Sequence, residues 1–193
     1  MIAVVLQAEF IPVDLQLRDG RRVTLRSVRP PDKDALQAVI RELSVGSRYA
    51  RFMSALRELS PQVLERAVNP DQDRELQLVA VCGEGAQEKI VGGARYASGP
   101  GSGDCEFAVT LADEWQGLGL ARRLLESLMH AARVRGMQRM EGYILASNSR
   151  MLGLAKRLGF AEVASPEGPT VRLVRRDLAG WPSHGHAAHN LTR

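Results

Sequence analysis

Between residues 105 and 132 the hydrophobic period of the chain changes, and that change limits what the chain can fold into. Cys105 to Leu111 reads as an apolar strand broken only by Glu106 and Thr110. Leu118, Ala121, Leu124, Leu125, Leu128 and Ala132 then recur at spacings of three and four, the period of an amphipathic helix over about 117–135. The junction is Gln116-Gly117-Leu118-Gly119-Leu120-Ala121. A helix N-terminus offers free backbone N–H groups and a favourable dipole to an anion. Glycine lets that anion come close, because no side chain stands in its way. Arg122 and Arg123 follow in the first turn, where the dipole alone disfavours cations; they become sensible if an anion sits there. A turn that merely lets strand and helix pack closely explains the glycines as well. The dinucleotide pattern G-x-G-x-x-G does not apply, because Arg122 occupies its third glycine and Asp113 to Gln116 separate the strand from the turn.

The remaining pattern surrounds this junction with strands and short helices. Residues 1–16 form an extra strand or simply precede the domain, and Asp19-Gly20 is a turn signal. An alternating strand covers 23–29, and Pro30-Pro31-Asp32 ends it and opens a helix with Ala35, Leu36, Val39, Ile40 and Leu43 on one face. Further helices are expected at about 46–58 and 61–68. Strands at 76–82, 89–97 and 105–111 form an antiparallel meander. After the long helix, which Gly136 caps, come a strand at 138–146, a helix at 148–158 closed by Gly159-Phe160, and a hairpin around Pro166-Glu167-Gly168. That order predicts an α/β (α+β) domain, a mixed and mostly antiparallel sheet with helices on both faces. The domain is expected over 17–178, with 1–16 as an N-terminal extension and 179–193 as a disordered polar tail.

The bulk chemistry narrows the function classes. At 193 residues with a net charge of +4, the chain suits one domain, and its thinly spread positive charge argues against nucleic acid as partner. Arginine supplies most of that charge, which favours phosphate recognition and suits an anionic small ligand. The two cysteines, Cys82 and Cys105, make no disulfide framework and read as free thiols. No apolar run reaches the length needed to span a bilayer, and the apolar start lacks the basic region of a signal peptide. No membrane partner is expected, and the cytoplasm is the default compartment.

At this point the sequence resembles a known family. Gln116, Gly119 and Ala121 at a strand-to-helix junction match the acetyl-CoA signature of the GCN5-related N-acetyltransferases (GNAT). Asn148-Ser149-Arg150-Met151 followed by Leu158-Gly159-Phe160 resembles that family's next segment, and the element order matches from about 21 to 176. Leu17-Arg18-Asp19-Gly20, Leu25 to Pro30, Leu43-Ser44, Ser47-Arg48-Tyr49, Arg51-Phe52 and Glu106-Phe107-Ala108-Val109 are similar to the acetyltransferase domain of bacterial Pat-type protein lysine acetyltransferases. The acyl-CoA-synthetase-like or cyclic-nucleotide-binding regions often fused to that domain do not fit within this chain.

The resemblance implies a sheet splayed between its fourth and fifth strands and an enzyme moving an acetyl group from acetyl-CoA directly to a primary amine. A protein lysine is one candidate acceptor. Implied for the cofactor are Val109, Thr110 and Leu111 against pantetheine, Gln116, Gly117, Leu118, Gly119, Leu120, Ala121 and Arg122 around the pyrophosphate, and Asn148 on the pantetheine arm. A plain helix N-cap is the other reading of Asn148. A lysine amine is neutral in only about one molecule in 2,500 at pH 7, so a base is needed. Glu106 is the catalytic candidate by likeness, with a solvent-facing strand residue as its alternative. Backbone N–H groups near Val109 could stabilise the oxyanion. The family's usual acidic tyrosine is replaced by Ala155.

Other residues carry less. His184, His186 and His189 in the tail read as incidental, so no metal is expected, and Cys105 lacks a neighbouring histidine to make it a nucleophile. Trp115 reads as packing under the glycine turn. Arg48, Arg51 and Arg57 either contact a coenzyme A phosphate or an acidic partner or, by default, form a solvated helix face, and Asp71, Asp73 and Glu75 either line a cationic acceptor's path or are simply solvated. The competing functions are a small-molecule amine acetyltransferase and a non-catalytic acyl-CoA sensor. Oligomeric state is left open.

Overall fold

A computed structural model describes residues 10–54 and 56–181. Eight strands form one sheet in the order β1-β2-β3-β4-β5-β6-β8-β7. They are β1 (Val13–Gln16), β2 (Arg22–Ser27), β3 (Glu75–Cys82), β4 (Lys89–Ser98), β5 (Asp104–Leu111), β6 (Arg139–Leu145), β7 (Ala161–Val163) and β8 (Val171–Asp177). Neighbours pair antiparallel except β5 and β6, which are parallel. A parallel pair needs a helical crossover, and α4 (Leu120–Val134) supplies it. Residues 13–16, ambiguous in the sequence, form the edge strand, with Val13 opposite Leu25. The expected splay between fourth and fifth strands therefore falls between β5 and β6.

The two faces of the sheet read out the alternation of its strands. Leu78 and Ala80 of β3 point into the main core, with Leu120, Leu124, Leu125, Leu128 and Met129 of α4. All five α4 residues are fully buried, each contributing about 1.5–3 kcal/mol relative to exposure. Val79 and Val81 point the other way and pack with Val39 of α1 (Lys33–Glu42). On that second face lie also α2 (Val45–Phe52), against β5, and α3 (Pro61–Val68), against α1. Ser44 and Ser60 cap α2 and α3, accepting from the backbone N–H of Ser47 and Val63. The helix expected over 46–58 stops at Phe52, because Met53 adopts a left-handed conformation, φ 51°. The helix expected from 117 begins at Leu120, since Gly117 and Gly119 are left-handed, φ 78° and 94°.

The chain ends its last helix with a device the sequence displays openly. After α5 (Ser149–Arg157), Gly159 is left-handed and the N–H of Phe160 donates to Ala155 O at 3.0 Å, the pattern of a Schellman cap. Phe160 then packs edge-on against Phe107 of β5, ring centroids 5.3 Å apart. Phe107 in turn lies on Gly142 of β6, where a Cβ would come within 2.5 Å of its ring. The aromatic pair wedges the sheet where β5 and β6 part. Gly142→Ala should therefore overpack this point and cost about 1–3 kcal/mol, read as a lower urea midpoint at an unchanged slope; an unaltered midpoint refutes the wedge.

Opposite the wedge, a buried ion pair ties the start of the chain together. Arg26 of β2 forks onto Asp32, Nη1 to Oδ2 at 2.8 Å and Nη2 to Oδ1 at 2.9 Å, and also reaches Glu88. Arg26 and Asp32 are 4% and 8% exposed. Asp32 also accepts from the Arg29 backbone N–H at 2.7 Å, which fixes the turn from β2 into α1.

Candidate active site

β5 and β6 are in register only at Asp104–Arg139, Cys105–Met140 and Glu106–Glu141. Past Glu106, β6 continues against β8 while β5 continues against β4, so residues 107–111 have one unpaired edge. Strand alternation decides which groups face that gap. The N–H of Ala112 donates to Val91 O at 3.0 Å, so Ala112, Thr110 and Ala108 turn their backbones toward β4. Phe107, Val109 and Leu111 accordingly turn theirs toward the gap. Of the three residues expected against pantetheine, Val109 and Leu111 thus present open backbone groups, while Thr110 contributes a side chain to the second face of the sheet.

The gap leads to the glycine turn. Gly119 is the N-cap of α4 and no side chain caps that end. Nothing lies within 4 Å of a Cβ placed on Gly117. Open donors, a left-handed pair of glycines, clear space beside Gly117 and the Arg18 guanidinium 3.8 Å from a Cβ placed on Gly119 fit a bridged phosphate. Leu118 is half-buried against the main core, Leu120 is fully buried in it, and Ala121 packs at its margin. These three bring backbone rather than side chains to the turn. Arg122 leans back onto Glu126, Nε to Oε1 at 2.8 Å.

The Gln116 side chain is tied into a polar hub beside the turn. Its Nε2 donates to Ser47 Oγ at 3.1 Å and to Asp113 Oδ1 at 3.3 Å. Asp113 also accepts from the Ser44 backbone N–H at 2.7 Å, from Ser44 Oγ at 3.0 Å and from Ser47 Oγ. Burial pushes the Asp113 carboxyl up, but the Ser47 and Ser44 hydrogen bonds outweigh it and hold the group below the usual carboxylate range. This hub pins the start of α2 beside the turn. Trp115 is buried under it, with the Arg21 guanidinium 4.0 Å from the ring centroid.

Glu106 occupies the last registered pair before the gap and opens onto the second face. There it borders a cleft of about 370 Å³ lined by Arg51, Arg95, Ser98 and Ala108. Loss of water around the carboxylate, then the charge of Glu141 beside it, raises its pKa above the usual value, against the pull of Arg95 and Arg51. Glu141 is itself held by Arg175, Oε2 accepting from Nη2 at 2.9 Å. Arg51, read from sequence as part of a solvated helix face, instead lies in this cleft and donates from Nε to Thr110 Oγ1 at 2.9 Å. Arg48 caps its neighbourhood, donating to Leu43 O at 2.6 Å, and Arg57 is exposed. Glu75 is 8% exposed and sits between Arg66 and Arg95; Asp71 pairs with Arg74.

Asn148 is the N-cap of α5, Oδ1 accepting from the Met151 N–H at 3.1 Å. Ala155 is fully buried in the main core. Tyr143 lies two residues after Glu141, on the same face of β6; desolvation, Glu141 and Glu106 raise its pKa and keep it protonated. Cys105 is buried on the opposite face, and desolvation pushes its thiol up to about 12, which leaves no thiolate for nucleophilic work. Cys82 and Cys105 are both free. Among the described residues no cluster of three metal-ligating side chains occurs and no helix is long and apolar enough to cross a membrane. The tail histidines lie outside the described residues.

Comparison with known proteins agrees with this geometry. The model of the acetyltransferase (GNAT) domain matches residues 22–161. The chain is 36% identical over 154 residues to the acetyltransferase PA5475 of Pseudomonas aeruginosa, covering 80% of this chain and 83% of that one. It is 31% identical over 155 residues to the acetyltransferase Pat of Mycolicibacterium smegmatis, covering 80% of this chain but only 46% of Pat, so the chain spans about half of that relative. Among solved structures, the GNAT domain of S. lividans PAT superposes with a TM-score of 0.77 at 26% identity, covering 86% of this chain and 96% of that domain. A strand pair that parts at Glu106, an uncapped glycine turn and these likenesses converge: the chain belongs to the GNAT family and is an acetyl-CoA-dependent N-acetyltransferase.

Proposed function

We propose that the chain transfers the acetyl group directly from acetyl-CoA to a primary amine, with Glu106 receiving the amine's proton. The observation that carries this is the position of Glu106, at the mouth of the β5–β6 gap and on the wall of an open cleft. Val109 and Leu111 offer backbone groups to the pantetheine arm, and the N-terminus of α4 from Gly117 to Arg122 offers donors to the pyrophosphate. Asn148, three residues beyond β6, is assigned to the same arm by likeness; its Oδ1 is spent on the α5 cap, which leaves the side-chain Nδ2 for that contact.

Glu106 takes a proton from the acceptor ammonium. The freed nitrogen pair forms the N–C bond to the thioester carbon, the C–S bond breaks and the thiolate leaves, and the second proton that the nitrogen sheds on becoming an amide passes through water to the sulfur. A thiol near pKa 8.5 is a tolerable leaving group, and water can supply its proton. The backbone N–H of Val109 is available to the charge that develops on the carbonyl oxygen. A protein lysine as acceptor is supported by the likeness to Pat. A small amine is supported by the cleft, whose volume of about 370 Å³ lies at the low end of ordinary small-ligand pockets.

A thiol-release assay with acetyl-CoA against free amines, amino acids and lysine-containing proteins tests the reaction. Acceptor-dependent release of free thiol is the expected result. Tight acetyl-CoA binding with no turnover on any amine would instead favour the acyl-CoA sensor.

A further inference from the structure

The cleft beside Glu106 carries more positive charge than the proposed chemistry requires. Arg51 and Arg95 both line it. Arg51 is half-buried, yet among the described residues only its Nε has a protein acceptor, Thr110 Oγ1 at 2.9 Å. Neither of its Nη amines has an acceptor among the described residues, and neither belongs to the fully enclosed, unpartnered atoms, which are Arg26 Nε, His130 Nδ1 and Arg176 Nε. Both Nη groups therefore reach open space. The Phe52 ring, 4.8 Å from Arg51 Cζ, supports one face of the guanidinium. Arg95 is tethered only loosely, 3.6 Å from a Glu75 oxygen, and Glu75 is shared with Arg66.

Burial, then repulsion from Arg95, pulls the Arg51 pKa down to about 10, so the group remains a cation at neutral pH while the pair opposes itself. Among the described residues Glu106 is the one carboxylate on the cleft wall, and a carboxylate locked onto arginine would be a poor base. Two cations held near each other with donors unspent are the arrangement that an incoming anion completes. The planar fork of arginine suits a carboxylate in particular.

We propose that Arg51 and Arg95 bind a carboxylate carried by the acceptor, so that its amine is presented to Glu106. The acceptor is thus an amino-acid-like molecule, an amine with a carboxylate a few bonds away, supplied either as a free amino acid or as a protein amine next to an acidic side chain. This rests on the acetyl transfer proposed above and specifies its acceptor.

The test compares matched acceptors that differ only in the carboxylate: lysine with cadaverine, methionine with its methyl ester, and capped peptides with lysine beside Asp or beside Ser. kcat/KM for the carboxylate-bearing member should exceed that of its mate by about 10- to 100-fold, the range for a hydrogen bond to a charged group. Arg51→Gln should collapse that ratio toward one, mainly through KM, and Arg51→Lys should leave it intermediate. Each ratio is taken within one protein preparation, so partial misfolding scales both acceptors and leaves it unchanged. A preference among free amino acids puts the carboxylate beside the amine of a small molecule; a preference among acid-flanked peptides puts it on a protein. Either supports the proposal. Equal kcat/KM within every pair overturns it while leaving acetyl transfer intact, as does a ratio that survives Arg51→Gln. A preference for succinyl-CoA over acetyl-CoA with acceptors unranked overturns it too, by assigning the arginines to the acyl group. No turnover with any amine overturns the reaction and this inference together.

Discussion

Glu106→Gln should lower kcat/KM for amine acetylation by about 10²- to 10⁴-fold, the usual contribution of a positioned general base, while acetyl-CoA binding measured by calorimetry stays nearly the same. The split follows from position. Glu106 lies at the edge of the gap with its carboxyl on the cleft, whereas the groups proposed for the donor are backbone atoms of β5 and of the turn before α4. The pH profile sharpens the expectation. A base works deprotonated, and partial loss of water, then the charge of Glu141, raises the Glu106 pKa although the side chain keeps access to solvent. Activity of the unaltered protein should therefore rise with pH through a limb above the ordinary carboxylate range. That limb should vanish in the Gln variant, which keeps shape and hydrogen bonding but cannot accept the proton. An unchanged rate and an unchanged acid limb would remove Glu106 from the mechanism.

The largest effect on stability is expected at Asp32. Asp32→Ala leaves the Arg26 guanidinium buried with its main partner gone, and breaking a buried pair in this way costs about 3–5 kcal/mol. Domains of this kind are stable by only about 5–15 kcal/mol, so soluble yield should fall as well. The sign with pH can be worked out. Burial alone pushes the Asp32 carboxyl up, but the Arg26 fork and the Arg29 N–H outweigh it, so its folded pKa lies below the usual carboxylate range. The contribution is then fully present above the unfolded pKa and fades as pH falls through that value toward the folded one. Urea unfolding from pH 7 down to pH 3 should show part of this acid sensitivity lost in Asp32→Ala. Arg26→Met with Asp32→Leu should recover much of the lost stability, because apolar replacement removes both charges at once. A single-variant loss under 1 kcal/mol would show that the pair is water-screened.

Local features were legible in the sequence because their physics is local. The meander of β3, β4 and β5, the uncapped glycine turn and the Gly159-Phe160 cap each depend on residues within one element or its end. The second helix was read too long because a left-handed Met53 has no sequence mark of the kind glycine gives. The contacts missed altogether join distant positions. Arg51 meets Thr110 across 59 residues, and Ser44 meets Asp113 and Ser47 meets Gln116 across 69 each. Asp113 carried no pattern of its own, since an isolated acid after a strand is commonplace. Its role appears only when α2 folds over the turn. Gly142 could have been noticed as a glycine inside a strand, which often marks close approach.

The parting of β5 from β6 has a consequence for how the molecule comes apart. Only three registered pairs hold the portion from β1 to β5 to the portion from β6 to β8 within the sheet, and α4, α5, the Phe107–Phe160 contact and the Asp104–Arg139 ion pair add to the join. A seam of this kind is where a cooperative subunit of structure can open before the whole unfolds. A ligand lying along the gap and ending on the α4 turn would lace the two portions together. At a concentration 100 times its dissociation constant it adds about 2.7 kcal/mol to the folded state. The protein's resistance to opening along this seam would then follow the cell's supply of the acyl donor.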